Sequence, residues 1–463
     1  MLYGCPCRVL HVDLTSGQLT IEQPEEAFYR QHPGGSLLGL FYLWRNTPPG
    51  IDAFDPRNTL TFALSPTTGL PISGQSRCTA TCKSPTTQGV ADSQAGGFWP
   101  AELKFAGFDA VVIRGASPTP VYLWISNGAA ELRDASHLWG HFTHDVDTAL
   151  KAELGDDKIE IAQIGPAGEK LSLFAAVMNM SNRAWGRTGI GAVMGSKNLK
   201  AIAVRGTKGV GNLRDPKAFM AAVKAGKKVL AENGVTGTGL PAMGTQVLMS
   251  VINEVGGLPT RNHQDNQFEG AKDIGAEAMA TPRKTDGKKQ LVTNQACFGC
   301  TIACGRISKM DENHFTIENK PQYRGASGGL EYEAAWALGA ANGVNDLEAL
   351  QYVNMLCNEE GIDPITFGTT IGAVMELYAM GILTKEQLGT EATFGSARAL
   401  AFLAEETVNG RGFGKEIGQG SKRLTAKYGH PELSMSSKGQ EFPAYDGRAI
   451  QGIGLAYATS NRG

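Results

Sequence analysis

The sequence has no run of roughly 18 uninterrupted apolar residues, so it predicts no membrane span. Its start has Cys5, Cys7 and Arg8 where a secretory signal would have a charged segment and then an apolar one, so we expect a cytoplasmic location. An excess of charge is also lacking, because 43 lysines and arginines are balanced by 45 aspartates and glutamates. A nucleic acid or an anionic membrane is therefore not expected as a partner.

Cysteine is scarce, with eight residues in 463, and this favours metal ligands or buried thiols over a disulfide framework. Three of the eight, Cys297, Cys300 and Cys304, form a C-x2-C-x3-C run with no fourth cysteine within a plausible ligand loop. Three soft thiolates in one tight loop suit a cubane iron–sulfur cluster. Zinc and plain buried thiols stay as alternatives, although a closed zinc site usually has a second, separated ligand pair.

The chain is long enough for two or three cores, and its pattern changes near residue 212. Before that point strands dominate, beginning with a hairpin over Arg8–Leu14 and Gln18–Glu22 that turns at Gly17. This region, residues 1–212, predicts a β-rich domain interrupted by short helices such as Thr143–Leu154. Further strands are expected at Thr59–Leu64, Ala110–Arg114, Val121–Ser126, Ile159–Ile164 and Ala201–Arg205.

After residue 212 the apolar residues follow helical spacing, which predicts a mostly α-helical domain over 213–425. The last segment, 426–463, is rich in turn residues. The fold class is therefore α+β. The expected helices of the second domain are Ala218–Asn233, Glu331–Asn342, Asp346–Glu359, Thr366–Met380 and Ala397–Val408.

One glycine-rich stretch, Asn182–Lys200, has two arginines and four glycines before and within a helix of small residues. Its backbone N–H groups and guanidinium groups could converge on a phosphate. A tightly packed helix start with solvated arginines explains the stretch equally well. The other glycine runs, such as Thr236–Pro241, fit neither the dinucleotide fingerprint nor the P-loop and indicate turns.

Four segments together resemble the tungsten-containing aldehyde ferredoxin oxidoreductase family, in the same order along the whole chain. They are Asn182–Gly206, the cysteine run, Gly361–Thr366 and Tyr428–Met435. The resemblance implies tungsten, or sometimes molybdenum, held by two molybdopterins beside a 4Fe–4S cluster, with magnesium bridging the pterin phosphates. It also implies an N-terminal two-sheet domain that forms the base for the pterins.

The resemblance assigns site residues one by one. In the N-terminal domain the positions that match pterin and phosphate contacts are Arg77, Gln94, Gly96, Arg183, Ala184, Gly186 and Arg187. Arginine pairs with phosphate as a bidentate donor, and glycine lets the chain approach a bulky cofactor. Gln94 departs from the asparagine expected there.

The second pterin segment reads Asn358-Glu359-Glu360-Gly361-Ile362-Asp363, where the family pattern is Asp-x-x-Gly-Leu-Asp. By resemblance Asn358, Ile362 and Asp363 contact the pterin, and a carboxylate is a matched acceptor for its N–H groups. Taken alone, the hexapeptide is more typical of a helix that ends at glycine before an aspartate that caps the next helix.

Glu333 matches the glutamate that the family places near the metal, where it would exchange a proton with the substrate. Some members hold an interface metal through a Glu-x-x-His pair, which is replaced here by Tyr352 and Met355. Any homodimer is therefore expected to lack an interface iron and to be held together by ordinary side-chain packing.

The resemblance also implies a third helical domain with a further active-site histidine, a second pterin motif and the fourth cluster cysteine. The sequence ends at Gly463 before these features, so 426–463 is expected to be the beginning of a truncated domain. We expect aldehyde oxidation by the 463-residue chain to require a C-terminal complement.

The expected function is oxidation of an aldehyde to a carboxylic acid, with electrons leaving through the cluster to ferredoxin or an iron–sulfur partner subunit. Three alternatives stay open. They are an iron–sulfur electron-transfer or scaffold subunit, an inactive fragment, and a zinc-stabilised structural protein.

Overall fold

A computed structural model describes residues 3–463, and the chain divides into two compact units. The first contains Met1–Gly237 with two short later segments, Ala296–Ile302 and Glu359–Ile362. The second contains the remaining residues. The first unit is rich in strands and the second in helices, so the predicted α+β class is confirmed. The division into three domains at 213 and 426 stays a prediction.

The first unit contains two six-stranded sheets with shorter helices around them. Its strands are β1 Val9–Asp13, β2 Gln18–Glu22, β3 Leu60–Leu64, β4 Cys78–Lys83, β5 Val90–Ala95, β6 Ala110–Arg114, β7 Val121–Ser126, β8 Ala129–Asp134, β9 Glu160–Ile164, β10 Val177–Asn179, β11 Arg183–Trp185 and β12 Leu199–Arg205. Its helices are α1 Glu26–Gln31, α2 Gly35–Asn46, α3 Trp99–Phe105, α4 Thr143–Leu154, α5 Pro166–Glu169, α6 Ile190–Ser196 and α7 Pro216–Glu232.

The strand order is β2-β1-β6-β3-β4-β5 in one sheet and β11-β10-β9-β12-β7-β8 in the other. The pairs β1–β6 and β7–β12 are parallel, and the other pairs are antiparallel. The apolar faces of both sheets contribute to one continuous core, for example through Phe62 and Ile202. Four aromatic side chains lie within it, among them Trp185, whose ring centroid is 5.4 Å from those of both Phe62 and Trp99.

The predicted hairpin is confirmed by the β1–β2 pair. Its turn follows from local chemistry, because Asp13 Oδ1 accepts hydrogen bonds from the backbone N–H groups of Thr15 and Ser16 at 3.0 and 3.1 Å. Gly17 then adopts a φ of +70°, which is costly for other residues. The five further predicted strands and the predicted helix α4 also form, within two residues of the expected bounds.

The second unit is mostly helical, with a three-stranded and a two-stranded sheet. Its helices are α8 Leu240–Met243, α9 Leu248–Glu254, α10 Ala276–Ala280, α11 Tyr332–Leu338, α12 Leu347–Glu360, α13 Pro364–Ala379, α14 Lys385–Leu388, α15 Ala397–Asn409, α16 Gly414–Ile417, α17 Ser421–Lys427 and α18 Gln451–Thr459. Its strands are β13 Leu291–Gln295, β14 Gly305–Ser308, β15 Ser327–Gly328, β16 Ser436–Ser437 and β17 Gln440–Glu441. The last two residues of α12 belong to the first unit.

Two expectations about local structure were wrong, and one helix was not predicted. The helix predicted over Glu331–Asn342 ends at Leu338 and resumes as a 3-10 turn, because the Asn342 side chain donates to the carbonyl groups of Ala337 and Leu338 at 2.7 and 3.3 Å. The turn-rich segment after 425 contains the nine-residue helix α18. It was not predicted, because its glycines have a low helix propensity. The turn expected at Thr236 is one turn of π-helix over Gly234–Gly239.

Across residues 3–463, no helix has both the length and the apolar character that crossing a bilayer requires.

Candidate cofactor-binding and active site

The family-matched residues of the first unit gather at one end of strands β5 and β11. Gln94 is the next-to-last residue of β5, and Gly96 follows that strand directly. The backbone N–H of Arg187, just after β11, donates to Ser93 Oγ at 3.3 Å, which places the two segments side by side. Gln94 is exposed and Arg187 is half-buried, so this end of the sheets presents polar and cationic groups.

Asn179, at the end of β10, joins these segments and was not predicted from the sequence. Its buried side-chain amide donates to the carbonyl oxygens of Gly96 and Arg183 at 3.3 and 3.4 Å. A Cβ atom on Gly97 would lie 2.3 Å from Asn179 Oδ1, so only glycine fits there. That Oδ1 atom is buried and has no hydrogen-bond partner among the described residues, and such an atom in a native fold usually serves a ligand or water.

The glycine-rich stretch after β11 contains glycines of two kinds. A Cβ atom on Gly191 or Gly195 would lie 2.4 or 2.0 Å from a backbone carbonyl oxygen, so these glycines allow the seven-residue helix α6 to pack closely. A Cβ atom on Gly186 would come no nearer than 3.8 Å to any described neighbour, that of Ala184. Tight packing therefore explains the glycines of α6, but it does not explain the glycine at position 186.

The first two cysteines of the run lie on a turn at the same end of the first unit. The backbone N–H of Cys300 donates to the Cys297 carbonyl at 3.1 Å, and Gly299 between them has a φ of +67°. The backbone N–H of Phe298 donates to the Gly97 carbonyl at 3.2 Å. A Cβ atom on Gly96 would lie 2.8 Å from Cys297 Sγ, so a predicted pterin contact is directly beside a predicted cluster ligand.

Ser73 holds the other end of this cysteine turn. Its hydroxyl accepts a hydrogen bond from the Thr301 backbone N–H at 2.9 Å and lies 3.6 Å from Cys300 Sγ. Sequence reasoning did not find this residue, because 227 positions separate it from Cys300. The turn is therefore fixed on both sides by residues of the first unit.

Cys304 belongs to the second unit, where a buried arginine lies beside it. Arg306 is 2% exposed, and its guanidinium group donates to Asn294 Oδ1 at 2.8 Å and to the Leu240 carbonyl at 3.2 Å. Burial lowers the pKa of Arg306, while the nearby Glu331 and Cys304 favour its charged form. Arg306 therefore places a positive charge near Cys304.

Among residues 3–463, no group of three or more cysteine, histidine, aspartate or glutamate side chains is arranged to hold a metal ion. The thiolate chemistry of Cys297, Cys300 and Cys304 nevertheless suits iron–sulfur ligation, and two of them share one fixed turn. The ligand set of the cluster stays a prediction.

In the second pterin segment, the structure assigns Asp363 a helix-capping role. Asp363 Oδ1 accepts the backbone N–H of Ile365 at 3.0 Å at the start of α13, and Oδ2 accepts the Thr366 hydroxyl at 2.8 Å. The same hydroxyl lies 2.9 Å from Glu441 Oε2. A carboxylate has further lone pairs, so capping and a pterin contact are compatible, and the latter stays a prediction.

Residues 359–362 belong to the first unit, where Gly361 has a φ of +70° and its carbonyl accepts the Ala176 N–H at 2.7 Å. Ile362 forms an isolated β-bridge with Ala175. Glu360 is 3% exposed, and its Oε2 atom has no hydrogen-bond partner in the described chain. Burial, aided by Glu169, raises the pKa of Glu360 to about 7, against the attraction of Lys170 and Lys200.

Glu333 lies in the first turn of α11 in the second unit. Its Oε2 atom accepts the Ala444 backbone N–H at 3.0 Å, and the Tyr332 hydroxyl donates to the Ala444 carbonyl at 2.7 Å. Burial and then the charge of Glu333 raise the pKa values of Tyr332 and Tyr445. The carboxyl group is half-buried, with two tyrosines that stay protonated beside it.

His263 is a second titratable group near the α11 face. Its ring lies 6.2 Å from that of Trp336, and Trp336 is one helical turn beyond Glu333. Its Nε2 atom is buried without a hydrogen-bond partner in residues 3–463, and burial lowers its pKa to about 4. Arg261, Asn262 and His263 all have positive φ values of 48–65°, an uncommon run that stores backbone strain.

Together these features define the class of the protein. A two-sheet unit presents arginines, an open glycine and a cysteine turn at one end, while a helical unit carries a half-buried glutamate and an aspartate that caps a helix. Guanidinium groups and thiolates suit phosphate and soft metals, respectively, so this set of groups is typical of a redox enzyme with a phosphate-bearing cofactor.

The chain belongs to the aldehyde ferredoxin oxidoreductase family. Residues 9–206 match the family's N-terminal domain, and residues 221–463 match its domains 2 and 3.

Two similar proteins are the tungsten-containing aldehyde ferredoxin oxidoreductases of Thermococcus kodakarensis and Pyrococcus furiosus. They are 42% and 41% identical over 464 aligned residues, and each alignment covers 100% of this chain and 74% of the relative. A similar solved structure is the active-site complex BamBC of benzoyl coenzyme A reductase with 1,5-dienoyl-CoA. It has a TM-score of 0.81 and 27% identity, and the match covers 96% of this chain and 67% of that one.

Proposed function

We propose that this protein oxidises an aldehyde to a carboxylic acid at a tungsten–pterin site and passes the electrons through a 4Fe–4S cluster to ferredoxin. The family membership supports the oxidoreductase activity and the tungsten–pterin cofactor. The observation that carries the assignment to particular residues is the contact between Gly96 and Cys297. Gly96, a predicted pterin contact, therefore lies next to Cys297, a predicted cluster ligand. Electron transfer between the pterin and the cluster requires such proximity.

The end of the first unit provides groups that fit a pterin phosphate. Arg77, Arg183 and Arg187 offer guanidinium donors, and Gly186 leaves open space. Asn179 holds Gly96 and Arg183 in place and keeps one buried oxygen without a partner in the described chain. These arginines would hold the pterin phosphates, and a magnesium ion would add positive charge to balance them.

The reaction balances as aldehyde plus water giving carboxylic acid, two protons and two electrons. When bound, the tungsten–pterin group accepts the two electrons. Glu333 takes up a proton, since its carboxylate is half-buried and anchored through one oxygen by the Ala444 N–H. Cys297, Cys300 and Cys304 would hold the cluster, and Arg306, which is buried near Cys304, would stabilise its negative charge.

Metal analysis after anaerobic purification tests this proposal. Tungsten together with about four irons per chain is expected for the one cubane cluster that the cysteines would hold. Iron without tungsten or molybdenum would favour an electron-transfer subunit, and zinc alone would refute the redox assignment. Aldehyde-dependent reduction of a viologen dye by the same preparation, with and without a C-terminal complement, tests the chemistry.

A further inference from the structure

Helix α7 forms an unusually exposed and basic surface of the first unit. It contains four lysines, Lys217, Lys224, Lys227 and Lys228, and a single acidic residue, Glu232. Val223 is the one buried residue among those described in α7. Glu232 lies 3.6 Å from Lys228 with both side chains exposed, and such a surface ion pair contributes little. The helix therefore presents a net positive charge to the solvent.

An apolar cavity of about 430 Å³ lies along this helix. Phe219, Val223 and Leu230 line it from α7, and Ile72 and Ser73 line it from the loop before β4. The exposed apolar side chains of Met220 and Val229 extend the same helix, at 50% and 66% exposure. An apolar patch bordered by lysines has the composition of a surface that binds an oppositely charged protein.

The cavity wall leads directly to the cysteine turn. Ser73, which lines the cavity, lies 3.6 Å from Cys300 Sγ and accepts the Thr301 N–H. A protein seated on α7 would thus be separated from a cluster ligand by one serine side chain. A short path of this kind is what electron transfer to a partner needs.

We propose that the α7 surface, defined by Lys217, Lys224, Lys227, Lys228 and the cavity at Ser73, is the docking site of an acidic iron–sulfur acceptor protein of the ferredoxin class. A second copy of this chain is disfavoured as the occupant, because two copies of the lysine-rich helix would repel each other. Two acceptor molecules each take one electron for every aldehyde oxidised. The inference rests on the proposed function, since it requires a cluster at Cys300.

The test compares the wild-type holoenzyme with the variant Lys224→Glu/Lys227→Glu. With an acidic 4Fe–4S ferredoxin at low ionic strength, kcat/KM should fall roughly tenfold or more, because electrostatic steering accelerates association by that amount or more. The rate with benzyl viologen, which needs no protein docking site, should stay unchanged. The milder Lys224→Gln/Lys227→Gln variant should show a smaller loss of the same kind.

Lys272→Glu/Lys284→Glu, which changes the same total charge at exposed positions outside α7, is the matched control. An equal loss in this control, or an unchanged ferredoxin rate in the α7 variant, would overturn the docking inference. Ferredoxin binding measured directly by titration calorimetry separates this inference from the proposed function. A wild-type protein that shows no aldehyde-dependent viologen reduction even with its C-terminal complement would refute the function, whereas binding that the α7 variant loses would still support the docking site.

Discussion

Replacing Glu360 with glutamine should make the protein's stability less dependent on pH. In the folded state burial raises the pKa of Glu360 to about 7, from an ordinary value of 4.5. Its Oε2 atom has no hydrogen-bond partner in the described structure to offset the cost of ionisation. Because the folded pKa is the higher one, this group's contribution to stability is fully present below pH 4.5 and is lost as the pH rises through 7.

The size of the effect follows from the difference between the two pKa values. About 2.5 pH units at about 1.4 kcal/mol per unit give a loss of roughly 3 kcal/mol in the free energy of unfolding by pH 8.5. Glu360→Gln has nearly the same shape and cannot ionise, so it should avoid that loss. Relative to wild type, the variant should therefore gain roughly 3 kcal/mol of stability between pH 4.5 and pH 8.5.

Urea denaturation followed by tryptophan fluorescence at both pH values measures this difference. Glu254→Gln, at an exposed position at the end of α9, is the control and should show no such change. An identical pH dependence in wild type and Glu360→Gln would refute the reasoning. It would mean that Glu360 is hydrated or paired in the folded protein.

Three further predictions concern the proposed site. Glu333→Gln keeps an acceptor for the Ala444 N–H but cannot take a proton, so kcat should fall roughly 100-fold or more. The tungsten and iron contents should stay normal. An unchanged kcat would show that Glu333 has no part in the mechanism. Cys300→Ser should lower the iron content and abolish the visible absorption of the cluster, and full iron retention would exclude this ligand. Gly186→Val should fold normally, because the space is open, yet lose most of its tungsten, and a full tungsten content would show that no cofactor lies against Gly186.

Much of the fold could be predicted from local patterns. The hairpin of β1 and β2 alternates apolar and polar residues around a glycine turn, and both strands form as expected. Strands β4 and β5 were not predicted, because β4 buries Thr79 and Thr81 where an alternating pattern would place exposed residues. Their pairing depends on tertiary context, which overrides propensity.

The candidate site could be predicted only in part. Family resemblance identified Gly96 and Cys297, but 201 residues separate them, so no local pattern could show that they touch. The roles of Asn179 and Ser73 depend on equally distant partners. The interpretation of Asp363 as a helix cap is confirmed, and its pterin contact stays a prediction.

The most direct test of the central claim is low-temperature electron paramagnetic resonance of the anaerobically purified, oxidised holoenzyme after addition of an aldehyde alone. We expect the signal of a reduced 4Fe–4S cluster to appear, because electrons from the aldehyde reach the cluster inside the protein. A cluster that dithionite reduces but that no aldehyde reduces would contradict the account.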